Sequence, residues 1–152
     1  MTPAQQWARG FAKFSPEVRT VARGAIARMR RRLPGAIEFV YDNYNALVMG
    51  FGNTERPSDA IFSLVLYPRH VTLCFLEGVA LQDPDGLLRG EGSRVRHIRL
   101  ADASTLDVPA VQRLMDDAVA ESGARFDGRA RRKMVIRAVS AKQRSRRPAH
   151  SS

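Results

Sequence analysis

Residues 36–76 read AIEFVYDNYNALVMGFGNTERPSDAIFSLVLYPRHVTLCFL, in which four runs rich in β-branched and aromatic residues are separated by Asn, Gly and Pro. Runs of this composition are typical of β-strands, and the separating residues are typical of turns. Residues 67–70 (YPRH) are short enough for a tight hairpin, whereas residues 52–59 (GNTERPSD) predict a longer polar loop. We therefore expect four consecutive antiparallel strands.

Helical patterns precede these strands. Ser15-Pro16-Glu17 is typical of a helix start, and apolar residues follow at helical spacing as far as Leu33. Pro34-Gly35 is expected to end this helix, because proline cannot continue it and glycine favours the turn that follows. Residues 3–14 predict a shorter helix whose three aromatic residues share one side.

The chain beyond residue 76 contains a turn-rich segment, a fifth strand pattern and a last helix. Residues 82–93 (QDPDGLLRGEGS) are rich in turn formers, and residues 94–102 (RVRHIRLAD) have an extended pattern. The last helix is expected to end near Gly123. Helix, strands and helix in this order predict a two-layer α+β fold, with an antiparallel sheet of about five strands and helices packed on one face.

The net charge of +10 is concentrated near the C-terminus. Residues 1–124, the expected folded domain, contain 15 basic and 14 acidic residues, whereas residues 125–152 contain 10 basic residues and one acidic residue. We expect residues 125–152 to be a basic extension, with a helix over residues 128–143 and disorder over residues 144–152.

A basic extension of this kind attracts polyanions through screened charge that is largely independent of sequence. One interpretation is nonspecific nucleic-acid binding, and the other is that the extension only solubilises the chain. The extension has one aromatic residue, Phe126, which argues against readout by base stacking. The cations of the nucleic-acid hypothesis are Arg129, Arg131, Arg132, Lys133, Arg137, Lys142, Arg144, Arg146 and Arg147.

Composition also narrows the class of protein. A length of 152 residues with 44% hydrophobic residues predicts one globular domain. The chain contains neither an apolar run of about 18 residues nor a secretory signal pattern, so we expect a cytoplasmic protein without a membrane span. The single cysteine, Cys74, and the three histidines lack the spacing of a metal or haem site, so no metal and no cofactor are expected.

The constellation that most suggests ligand binding lies within six residues of the fifth strand pattern and consists of Arg94, Arg96, His97 and Arg99. Alternation along a strand puts the first two on one face and the last two on the other. Because arginine binds carboxylate and phosphate oxygens in pairs, we expect these residues to hold a small anionic ligand.

Polar and aromatic residues of the first strand pattern are expected to share this anion pocket, namely Tyr41, Asn43 and Tyr44. The alternative is that the arginines only stabilise the sheet edge by pairing with acidic residues, which would be Glu38, Glu77 or Glu91. Composition does not indicate an oligomeric state.

Catalytic motifs do not stand out. The chain has no GxSxG nucleophile motif, and GEGS (residues 90–93) lacks the spacing of a phosphate-binding loop and precedes a strand. His70 and His97 are interpreted as structural, with the alternative that they meet in space. Binding is therefore expected rather than catalysis, although an enzyme whose residues come from distant segments stays open.

Three stretches together resemble the YdhG-like family, a bacterial domain family that is mostly uncharacterised. They read RRRLPGAIEFVYDNYNA (30–46), LVLYPRHVTLCFLEG (64–78) and GLLRGEGSRVRHIRLAD (86–102). The resemblance covers roughly residues 16–121, leaves the basic extension outside, and implies a compact α+β domain.

The family includes a frataxin-like iron chaperone, and this implies iron binding by carboxylates exposed on a helix and an edge strand. The main helix of this chain departs from that pattern, because Glu17 is its one carboxylate and it carries Arg19, Arg23, Arg28, Arg30, Arg31 and Arg32. A ridge of arginines repels a hard cation, so iron delivery is not expected here.

Overall fold

The computed structural model describes residues 1–149 and places three α-helices and one six-stranded sheet within them. The helices are α1 (Pro3–Phe11), α2 (Pro16–Arg32) and α3 (Pro109–Ser122). The strands are β1 (Ile37–Asp42), β2 (Leu47–Gly52), β3 (Phe62–Leu66), β4 (Val71–Phe75), β5 (Arg96–Leu100) and β6 (Lys133–Val139). In the described part of the chain, no helix combines the length and the hydropathy needed to cross a membrane.

The strands lie in the order β5-β4-β3-β2-β1-β6. β1 to β5 form an antiparallel meander, and β6 runs parallel to β1. The predicted α+β class, the meander and the packing of helices against the sheet are confirmed. The sheet has six strands instead of about five, because β6 comes from the segment predicted as an extension.

The helix ends follow their local sequence signals. The Ser15 side chain accepts a hydrogen bond from the Val18 backbone N–H at 3.3 Å, which satisfies a free donor at the start of α2. α2 ends two residues before Pro34. α3 ends at Ser122 and is capped by Gly123, whose φ of 70° is a left-handed conformation that glycine adopts without strain.

The two faces of the sheet have different surroundings. On one face, alternate residues such as Met49, Leu64 and Leu73 join buried residues of α2 and α3 in the main core, and Trp7 and Phe11 of α1 pack against it. We call this the helix face. The opposite face carries the intervening residues of each strand, and we call it the open face.

Residues 133–139 form strand β6, so the prediction of a helix over residues 128–143 is wrong. Val135 lies opposite Phe39 of β1, and Ile136 lies opposite Val40. Without β6, strand β1 would be an edge with unpaired backbone groups, and pairing satisfies them. The apolar pattern of this segment fits either period, and the free edge of β1 selects the strand.

The segment after β6 is tied to the domain. Ser140 donates its backbone N–H to the Asp42 carbonyl at 2.8 Å, and Arg144 donates its N–H to the Tyr44 carbonyl at 2.9 Å. The Arg146 side chain is buried. The prediction of disorder is therefore wrong for residues 144–149, and the rest of that prediction, residues 150–152, lies outside the described residues.

Candidate functional site

Three nitrogen-bearing side chains lie on the open face of the β4–β5 pair, with Arg99 between the two histidines, and we call them the cationic cluster: His70, His97 and Arg99. The register places Arg99 opposite Thr72 and His97 opposite Cys74. Residues opposed in this way share a face, with Cβ atoms about 4.5–5.5 Å apart. His70 precedes Thr72 by two residues and therefore lies on the same face.

The imidazole of His70 is held by its hairpin partner. Its ring stacks on Tyr67 with a centroid separation of 4.7 Å and an interplanar angle of 29°. Burial lowers the pKa of His70, and the nearby positive charges of Arg99 and His97 lower it further. His70 is therefore a neutral hydrogen-bonding group at pH 7, and it becomes charged only on acidification.

Arg99 supplies the permanent charge of the cationic cluster. Its side chain is exposed, and within residues 1–149 it forms no salt bridge. The register of β1 to β6 puts no Asp or Glu of these strands on the open face. The positive charge of this face is therefore not neutralised by carboxylates of the sheet.

Cys74 lies beside the cationic cluster, between His97 on β5 and Ser63 on β3. Burial raises the pKa of the Cys74 thiol, and a hydrogen bond with the Ser63 side chain opposes that rise. Burial also raises the pKa of Tyr67. Both groups are protonated at neutral pH, so they add no negative charge to the open face.

The four predicted residues of the basic strand divide between two environments. His97 and Arg99 lie on the open face, and Arg96 lies on the helix face, as the alternation predicts. Arg96 donates to the Gly92 and Val95 carbonyls. Arg94 forms a salt bridge with Glu77, which is the alternative considered for these arginines. Arg94 and Arg96 therefore do not join the cationic cluster.

The predicted pocket shared by Arg94–Arg99 and the first strand does not include Tyr41, because β4, β3 and β2 separate β5 from β1. Asn43 and Tyr44 do share a surface depression with Val95. Four interstrand spacings of about 4.8 Å put Tyr41 about 19 Å from Arg99 across the sheet. Asn43 and Tyr44 lie beyond the end of β1, beside Ser140, and both are exposed.

His70 is the member of the cationic cluster that the anion-site prediction omits. The predicted hairpin over residues 67–70 contains the signal that places it, because a tight turn there puts His70 on the same face as Tyr67 and Thr72. Its closeness to Arg99 depends on the pairing of β4 with β5, which the sequence does not show.

Some basic residues of the C-terminal segment form salt bridges, and others are exposed without one. Arg132 pairs with Glu38 at 3.6 Å, Lys133 pairs with Glu55, and Arg146 pairs with Asp42. Six further predicted nucleic-acid contacts are exposed and form no salt bridge in the described chain: Arg129, Arg131, Arg137, Lys142, Arg144 and Arg147. We call these six the β6-edge cations, since β6 is the edge strand that they flank.

Three of the six arginines of α2 form salt bridges with acidic residues. Arg28 bonds Asp107 at 2.9 Å, Arg30 bonds Glu38 at 2.8 Å, and Arg32 pairs with Asp116. Across residues 1–149, no group of three or more His, Cys, Asp or Glu side chains is arranged to hold a metal ion. The Arg28 guanidinium holds the pKa of Asp107 below its usual value.

A separate cavity of about 530 Å³ lies between the β2–β3 loop and the end of α3. Its lining includes the carboxylates of Asp59, Glu77 and Glu121 above an apolar floor that contains Ile61 and Phe75. Carboxylates repel an anion, so this cavity does not suit the ligand class that the cationic cluster would bind.

Comparison of the chain with protein-family models, curated proteins and solved structures found no match.

Proposed function

We propose that the protein is a non-enzymatic binding domain for a small anionic ligand, which His70, His97 and Arg99 hold on the open face. The observation that carries this proposal is an exposed, unpaired arginine beside two histidines, on a face whose strands bear no carboxylate. The planar guanidinium of Arg99 binds two oxygens of a carboxylate or phosphate at once.

The side chains of the open face are better suited to bind a ligand than to catalyse a reaction through a covalent intermediate. The Cys74 thiol is protonated at neutral pH because burial raises its pKa, and the thiolate is the nucleophilic form. Thr72 and Ser63 are buried between neighbouring strands. The neutral His70 imidazole and the Arg99 charge are well suited to donate hydrogen bonds to an anion.

Calorimetric titration with inorganic phosphate and with acetate tests the proposal. Replacing Arg99 by Gln should weaken binding about tenfold or more, because a charged hydrogen-bond donor is lost. Arg96→Gln is the matched control, since Arg96 belongs to the same strand but lies on the helix face. Equal affinities of wild type and Arg99→Gln would contradict the assignment.

A second candidate function is nonspecific binding of nucleic acid by the β6-edge cations. Six exposed cations without salt bridges, along one edge of the sheet, support it. Contacts of this kind bind phosphate backbones regardless of sequence and weaken steeply with salt.

Truncation is a poor test of that function, because it would remove β6 from the sheet. We suggest replacing Arg129, Arg131, Arg137 and Lys142 by Ser and measuring mobility shifts of mixed DNA at several salt concentrations. The slope of log affinity against log salt should fall by about 3 to 4. A control that removes the same charge from Arg9, Arg56, Arg69 and Arg113 should keep the slope, and equal slopes in all variants would exclude the β6 edge.

We further propose that the chain is a YdhG-like domain. The three resembling stretches map onto the α2–β1 connection, the β3–β4 hairpin and the segment ending in β5, and the last two form the neighbouring strands β3, β4 and β5. A solved YdhG-like domain with a different strand order would contradict this proposal.

A further inference from the structure

An apolar strip adjoins the cationic cluster on the open face, and it consists of Val48, Val65, Cys74 and Leu76. One row of paired residues crosses the sheet as Arg99, Thr72, Val65, Val48 and Tyr41. The row therefore begins with a charge at the β5 edge, passes a hydroxyl, and continues over two valines to an aromatic residue.

The strip forms the floor of a shallow depression of about 600 Å³. Tyr44 and Val95 are large hydrophobic residues that line it and stay exposed. The buried apolar residues of α1, α2 and α3 belong to the core on the helix face, so in the described chain these helices do not cover the strip. A depression of this size matches the usual volume of a small-molecule site. The cationic cluster borders it rather than lining it, since Cys74 of the lining is paired with His97.

We infer that the ligand of the cationic cluster is a monomeric anionic amphiphile, with its carboxylate or phosphate at Arg99 and its apolar part along the strip. This inference rests on the proposed anion-binding function and names the ligand class for that same site. A purely inorganic anion would use Arg99 and the histidines but leave the half-buried Val48, Cys74 and Leu76 of the strip in contact with water. An apolar tail buries that strip and gains affinity with each buried methylene group.

Charge complementarity selects this occupant over others. The strands of the open face bear no carboxylate, so the sheet itself presents only positive and neutral side chains to an anionic group. A second copy that docked through the same face would bring its own Arg99 and histidines, and no strand carboxylate, to this site. The apolar floor is concave, so a free molecule fills it better than the flat surface of a bilayer does.

Calorimetry on the full chain should compare acetate, inorganic phosphate and octanoate, each kept monomeric. We expect octanoate to bind about tenfold or more tightly than acetate. Arg99→Gln should weaken both, whereas Val48→Ser should weaken octanoate and spare acetate. Val108→Ser is the matched control, because Val108 is an exposed valine at the start of α3.

A second readout needs no variant. Octanoate at saturation should slow the alkylation of Cys74 by iodoacetamide in the wild-type protein, because Cys74 lines the depression. Unchanged alkylation in the presence of bound octanoate would overturn the inference.

The outcomes separate the two proposals. Equal affinity for acetate and octanoate, both lost in Arg99→Gln, would overturn the amphiphile and leave the anion site in place. No binding of any probe would overturn both. Octanoate binding that survives Arg99→Gln would overturn the placement of the charged group, and binding to anionic vesicles without binding of monomeric octanoate would overturn the choice of a free ligand.

Discussion

Arg146 and Asp42 form an ion pair with a separation of 2.8 Å, and each side chain is only 3% exposed. Arg146 also donates to the Asn43 carbonyl at 2.6 Å, and its guanidinium lies 5.5 Å from the centre of the Phe14 ring. Its Nε and Nη1 atoms have no partner within residues 1–149. The C-terminal segment is therefore anchored by a desolvated charge that Asp42 and the Phe14 ring compensate.

Replacing Arg146 by Ala should lower the free energy of unfolding by about 3–5 kcal/mol, because Asp42 is left buried without a counter-ion. Urea unfolding measures this loss. Arg144→Ala, which removes an exposed charge two residues away, should change stability by less than about 1 kcal/mol. Similar stabilities of the two variants would show that the Arg146 contact does not form.

His70 predicts a pH dependence of stability. Its folded-state pKa lies below the ordinary value of 6.5, because of burial and the positive charges of Arg99 and His97. Below pH 6.5 the unfolded chain binds more protons at His70 than the folded chain does, so stability falls as the pH falls. The contribution is complete above pH 6.5.

His70→Gln removes this proton linkage. Urea unfolding at pH 7 and at pH 5 should show a smaller acid-induced loss for His70→Gln than for the wild type. The same loss in both proteins would mean that His70 is not held in the folded state at a lowered pKa.

Among the secondary-structure elements, strand β6 is the one that joins the C-terminal segment to the sheet. It pairs with β1 over Lys133–Val139. The residues that flank it form salt bridges with β1, Arg132 with Glu38 and Arg146 with Asp42. Both acidic residues are buried on the helix face. Stability of the sheet therefore depends on residues that follow α3.

Cutting the chain after residue 124 should destabilise the remaining domain strongly, because β1 becomes an unpaired edge and the buried Asp42 loses Arg146, whereas Glu38 keeps Arg30. The unfolding midpoint in urea and the sharpness of the transition measure this effect. A cooperative transition at the wild-type midpoint would show that residues 125–152 are a dispensable extension.

The sequence predicts the elements with strong local signals and misses those set by distant partners. The capped helix at Ser15 and the alternation in β1 to β5 follow from neighbouring residues. β6 is missed because KMVIRAV fits either a helical or an extended pattern, and only the free edge of β1, about 95 residues earlier, selects a strand. The order of strands likewise decides that Tyr41 does not meet Arg99.

The same limit applies to the cationic cluster. Alternation along β5 correctly puts His97 and Arg99 on one face, apart from Arg96. The position of His70 next to Arg99 depends on the β4–β5 register. The salt bridge that removes Arg94 from the cluster by pairing it with Glu77 depends on how the chain turns before β5. The alternation within one strand predicts which face a side chain lies on, whereas the pairing of strands decides which side chains are next to it.

The whole molecule carries two separate positive surfaces. The cationic cluster lies at the β5 end of the sheet, and the β6-edge cations lie at the other end. Five interstrand spacings separate the two edges by about 24 Å, which exceeds the Debye length at physiological salt. Ligand binding at one surface should therefore leave the other unaffected.

Chemical-shift mapping of the backbone amides on addition of inorganic phosphate tests the anion-site proposal most directly. We expect the largest shifts over residues 70–74 and 96–99, with saturation at a defined ratio, and no comparable change over residues 129–147. Largest shifts along residues 129–147, or shifts spread evenly over the surface, would contradict a site at His70, His97 and Arg99.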